Sequence, residues 1–171
     1  MTQIKIREWN EKPRTKLRFI KIGDIFCYQF SEEMFVFGQI LGKVNVGHVI
    51  QFFDIFQASP TITVEELSRA QFMGKPIIVD SYTLFDRSPV WSWQIIGHQT
   101  DFDPSPFKDL AFKWGDPNGL QFGKVWLDGR TEPKIFSREE VEDLDWEACV
   151  GSIVYNRILE EELASRENKG V

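Results

Sequence analysis

The sequence predicts an α+β fold: a mostly antiparallel, strongly bent, barrel-like β-sheet with one inserted helix and C-terminal helices. Aromatic residues make up 14% of the 171, with 15 Phe and 6 Trp, and large flat side chains favour pleated, half-buried surfaces. Three consecutive apolar runs, 17–30, 34–41 and 48–56, are joined by short polar turns, the pattern of an antiparallel meander. A single strong helix start, Thr63-Val64-Glu65-Glu66, then interrupts the β-runs as a capping box.

Each element follows from local chemistry. The first run breaks at the turn pair Gly23-Asp24 and resumes as Ile25-Phe26-Cys27-Tyr28-Gln29-Phe30. In the helix after Thr63, Val64, Leu67 and Ala70 or Gln71 share a face, and Gly74 ends it. Pro76 leads into a fourth strand, 77–85, and Trp91-Ser92-Trp93-Gln94-Ile95 alternates as a fifth, placing Trp91 and Trp93 on one face. Short β-runs at 112–114 and 121–127 flank the turn Asp116-Pro117-Asn118-Gly119, and Asp128-Gly129 leads to a last strand at 133–136. Ser137-Arg138-Glu139-Glu140 is a second capping box opening a short acidic helix. Val154, Tyr155, Ile158, Leu159 and Leu163 make an amphipathic final helix. A chain of this length predicts one domain, 17–165, between a basic leader, 1–16, and a frayed tail, 166–171.

Charge is unevenly spread. Residues 1–21 hold seven Lys/Arg and two Glu, whereas residues 137–171 hold four basic and ten acidic residues. The net charge of −6 argues against a dedicated nucleic-acid binder. An acidic C-terminal third suits a basic partner or solubility. The N-terminal residues lack an apolar signal core and nowhere do 18 apolar residues run together, so neither export nor a membrane span is expected. Two cysteines, Cys27 and Cys149, build neither a disulfide framework nor a zinc site, which fits the reducing cytoplasm.

The sequence marks no catalytic, cofactor or metal constellation. His48 and His98 carry no partner spacing, and Cys27 sits mid-strand among apolar residues, so a Cys27–His nucleophile pair has no local signature. Asp101-x-Asp103 opens like a calcium loop, but Pro104 and Pro106 follow and the later Glu is missing. Asp24, Asp54, Asp80 and Asp86 are unmarked by spacing for acid–base work. No cofactor is expected.

The order of features resembles the immunity protein 26 family of bacterial polymorphic toxin systems. The resemblance rests on Lys21-Ile22-Gly23-Asp24-Ile25-Phe26, Phe37-Gly38-Gln39-Ile40-Leu41, Phe52-Phe53-Asp54-Ile55-Phe56, the helix Val64-Glu65-Glu66-Leu67, and Trp93-Gln94-Ile95-Ile96-Gly97-His98 before an acidic, Pro-bearing loop. It spans roughly residues 16–145 and implies a non-catalytic protein that binds and blocks a toxin encoded beside it. It transfers no contact residues.

Charge and exposure alone therefore nominate the partner-binding residues: Asp101 and Asp103 in the Pro-bearing loop; Glu139, Glu142, Asp143 and Asp145 in the second capped segment; and Trp91 as an interface anchor. Both acidic clusters also serve solubility. The expected partner is a cognate toxin domain with a basic working surface, a nuclease, held by occlusion. The competing class is a small β-rich module that binds RNA or a cellular protein.

Overall fold

The apolar runs become strands because nearly every side chain in them has a core to enter. In the computed structural model, which describes residues 3–169, β1 (Ile4–Ile6), β2 (Asp24–Ser31), β3 (Met34–Val44), β4 (Gly47–Gln57), β5 (Phe72–Val79) and β6 (Trp93–Gln99) form one antiparallel sheet ordered β1-β6-β2-β3-β4-β5. The expected meander is β2-β3-β4. β3 is buried without a break from Phe35 to Gly42, so it reads as a continuous apolar run: both faces of the sheet are covered.

On one face Phe26, Tyr28, Val36, Ile40, Ile50 and Phe52 gather around Trp93. Trp93 is 1% exposed, stacks on Tyr28 at 4.4 Å and meets Phe26 at 5.2 Å between ring centroids. The opposite face is shared. At one end α1 (Val64–Arg69) inserts Leu67 among Ile25, Cys27, Phe37 and Phe53. At the other, the hairpin of β7 (Ala111–Gly115) and β8 (Phe122–Trp126) places Phe112 and Val125 against Leu41, Val49 and Ile78. The final helix, α2 (Ser152–Lys169), closes the Trp93 face with Tyr155 and Leu159. Register shifts at 29–31, 36–38, 40–42 and 50–52 mark bulges, which bend and twist the strands that carry them. The sheet nevertheless stays open, with β1 and β5 as its two edges, and does not close into a barrel.

Several elements differ from the sequence reading, each for a local reason. Ile4–Ile6, counted in the leader, pairs with β6 from Ile4↔Gln99 to Ile6↔Gly97. Asp86 ties down the rest of that arm, accepting from the Arg14 guanidinium at 2.7 Å and the Leu17 amide at 3.0 Å. Residues 1–2 of the leader and 170–171 of the tail lie outside the described residues. Leu17–Phe19 is a 3₁₀ turn, so β2 begins only at Asp24. α1 forms the expected capping box but stops at Arg69. Asp54 pulls the chain back to the sheet there, taking the Gln71 amide on its carboxylate and donating its own amide to the Gln71 carbonyl, both at 2.8 Å. Gly74 therefore ends no helix; it sits inside β5 at φ +61°.

The fourth strand stops at Val79, because the Asp80 carboxylate accepts the amides of Tyr82 and Thr83 and starts a π-helical turn, Tyr82–Asp86. Trp91 has φ +49°, which breaks extended structure, so β6 starts at Trp93 and the two tryptophans share no strand face. The second capping box forms, with Ser137 N–H to Glu140 at 2.8 Å and Glu140 N–H to the Ser137 hydroxyl at 3.4 Å. It opens only the 3₁₀ turn Glu139–Val141, since the Lys113 ammonium takes the carbonyls of Val141 and Glu142 that a longer helix would use. The strand expected at 133–136 reduces to one bridge, Phe136 to Phe122. α2 continues past residue 166, where the tail was placed.

Candidate partner-binding site

The ends of β2 and β6 meet at a polar cluster. Gly23 adopts φ +88°, and a Cβ there would lie 2.7 Å from the Gln99 carbonyl, so only glycine lets the two strand ends close. The next residue, Asp24, faces His98 across the pairing, with the ring Nδ1 2.9 Å from its carboxylate. The other carboxylate oxygen accepts the Lys21 amide at 2.8 Å. Burial pushes the Asp24 carboxyl up, while the Lys21 amide and His98 pull it back. Beside them Gln39, 2% exposed, donates to the Gln99 side chain at 3.0 Å and to the Gly23 carbonyl at 3.4 Å.

This cluster holds the root of the Pro-bearing loop. Asp101 accepts the Gln3 amide at 3.0 Å, and Asp103 accepts both the amide and the hydroxyl of Ser105, at 2.9 and 2.6 Å. The Ser105 bonds hold the Asp103 carboxyl below the usual range, so it stays ionised. The loop turns back through a 3₁₀ turn, Ser105–Phe107, and the Phe107 ring meets Phe72 edge-on at 5.7 Å; Phe72 in turn stacks on Phe53 at 5.0 Å. Between loop, α1 and the sheet lies a cleft of about 460 Å³, with aromatic walls, the amides of Gln39 and Gln99, and Asp101 and Asp103 at its rim. Among the described residues no Lys, Arg or His lines it. Among the described residues neither rim carboxylate enters an ion pair.

The other nominated residues lie elsewhere. Glu139, Glu142 and Asp143 are exposed on a strap that crosses β7 and β8. The Lys113 ammonium donates to the Val141 carbonyl of the strap, Arg138 on the strap donates to the Pro117 carbonyl between β7 and β8, Lys134 pairs with Glu140, and Lys124 and Lys134 both lie over the Phe136 ring. The Glu140 carboxyl is held at about 2, first by Lys134 and then by the Ser137 amide. Asp145 pairs with Lys75 at 2.7 Å. Trp91 is half-buried in a corner, its amide donating to Ser88 and its carbonyl accepting from Gln94.

The residues weighed for catalysis are spread apart. Cys27 is buried opposite Phe37 and Gln94, and burial pushes its thiol up. His48 is buried with its Nδ1 2.9 Å from the Ser81 hydroxyl. Among the described residues no group of three or more His, Cys, Asp or Glu is placed to hold a metal ion, and no helix is long and apolar enough to cross a membrane. The cleft residues Gln39, Gln99, Phe53, Phe72 and Phe107 were not singled out from the sequence. Gln39, a polar residue interrupting Phe37-Gly38-Gln39-Ile40-Leu41, is the one signal that could have found them.

Residues 21–123 match the family model for immunity protein 26. The chain belongs to the immunity protein 26 family. Membership gives it an immunity-protein role, which implies a cognate toxin protein as partner. No curated protein and no solved structure matches the chain. The family stretch takes in the Asp24–His98 junction and, apart from Ile4, every residue lining the cleft. The strap with Glu139, Glu142, Asp143 and Asp145 falls outside it.

Proposed function

We propose that this immunity protein neutralises a toxin domain with a basic working surface, a nuclease, by seating the acid-rimmed cleft on that surface and occluding it. One observation carries the reading: inside the family stretch, Asp101 and Asp103 rim an aromatic cleft that no described basic residue lines. Nuclease sites must approach phosphates and so present Lys and Arg. An inhibitor that copies the phosphate charge gains steering and specificity together. Glu139, Glu142 and Asp143, exposed on the strap, extend the same field. Asp145, already held by Lys75, and the half-buried Trp91 stand outside this interface. The encounter takes place in the cytoplasm.

The test is capture of the toxin domain encoded beside this gene, followed by association rates at low and high salt. Wild type, Asp101→Asn/Asp103→Asn and Glu139→Gln/Glu142→Gln/Asp143→Asn are compared. Steering is screened beyond ~8–10 Å near physiological ionic strength, so the wild-type rate should fall steeply with salt and both variants should associate more slowly at low salt. Failure to capture the toxin removes the neutralising reading. A salt-insensitive rate shared by all three proteins removes the charge mimicry.

A further inference from the structure

We infer that the cleft between the 101–107 loop and the sheet is a receptor for a single arginine side chain of the protein partner. The chemistry of the walls selects it. Phe72, Phe102 and Phe107 are each partly exposed and line the cleft, giving it an aromatic surface against which a guanidinium packs. The side chains of Gln39 and Gln99 stand in the wall, and the two carboxylates, which already accept from Gln3 and Ser105, keep further lone pairs for a charged N–H donor. A planar group with five donors and a full positive charge fits an aromatic cleft whose charged lining residues are both acidic better than any neutral side chain.

The inference takes the nature of the partner from the toxin-binding reading, but the cleft chemistry is testable without any toxin. The probe is the capped tripeptide Ac-Gly-Arg-Gly-NH2, titrated into the full ¹⁵N-labelled chain, with the citrulline peptide as its uncharged isostere. The expected result is saturable shifts of the Phe72, Phe102, Asp103 and Phe107 amides, about tenfold weaker binding of the citrulline peptide, and loss of affinity with added NaCl. Asp101→Asn/Asp103→Asn, which keeps one side-chain acceptor each for the Gln3 and Ser105 amides, should melt close to wild type and lose the response. The salt series on wild type decides the matter if that variant does not fold. Equal binding of both peptides, shifts centred outside the cleft, cleft amides that move on dilution because a second copy occupies it, or no saturable shift up to roughly 100 mM peptide would each overturn it. Toxin capture without a peptide response removes the arginine receptor and leaves the immunity reading standing; a peptide response without toxin capture does the reverse.

Discussion

Asp24 and His98 stand opposite each other on β2 and β6, with the imidazole Nδ1 2.9 Å from a carboxylate that also accepts the Lys21 amide. The pair joins the two sequence stretches 21–26 and 93–98, and the acidic loop leaves the sheet directly after it. Asp24 is buried while the His98 side chain is 34% exposed, so the imidazole screens the carboxylate from one side and anchors the loop root.

Removing one partner should cost more than removing both. His98→Ala leaves a buried carboxylate short of a donor, a defect of ~1–3 kcal/mol. His98→Ala combined with Asp24→Asn should recover part of that loss, giving a non-zero coupling energy in a double-mutant cycle. Urea unfolding measures it, and hydrogen exchange of the 99–107 amides should rise in the single variant. Strictly additive losses would show that the pair is not coupled.

Trp93 is the keystone of the larger core, touching Phe26, Tyr28, Phe52, Phe85 and Tyr155. Trp93→Ala should cost ~3–5 kcal/mol and Leu159→Ala ~2–5 kcal/mol, since both leave cavities in packed surroundings. The second value is the informative one. Leu159 lies on α2, outside the family stretch, and a loss well under 1 kcal/mol would mean that α2 is not part of the cooperative core.

Stability should fall on mild acidification through His48. Burial first, and Lys43 across the strand second, lower its folded pKa to about 4 from an ordinary 6.5. The unfolded chain therefore binds the proton more readily. Stability present above 6.5 is lost as pH falls toward 4, by roughly 2 kcal/mol between pH 7.5 and pH 5. His48→Asn keeps a polar atom near the Nδ1 position facing Ser81 but does not titrate. Urea unfolding at the two pH values should show the wild type losing that much more than the variant, and parallel losses would disprove the assignment.

Much of this was legible in the chain alone. The meander β2-β3-β4, the capping boxes at Thr63 and Ser137 and the burial of Cys27 all follow from interactions among residues a few positions apart, or from apolar runs that only a two-faced core accepts. Asp101 and Asp103 were legible as exposed acids for the same local reason. Tertiary structure decided the rest. Arg14 meets Asp86 across 72 residues and so draws the basic arm onto the fold, against the rule that charge runs stay solvated. Asp54 ends α1 by taking the amide of Gln71, 17 residues on, and Lys113 ends the acidic turn from within β7, 28 residues before Val141. The cleft exists only because Phe107 folds back onto Phe72, so no local pattern announces it. Propensity, capping and turn chemistry act within one or two turns of chain. Which acid meets which base, and which aromatic walls which cleft, depends on contacts whose partners become neighbours only once the sheet has formed.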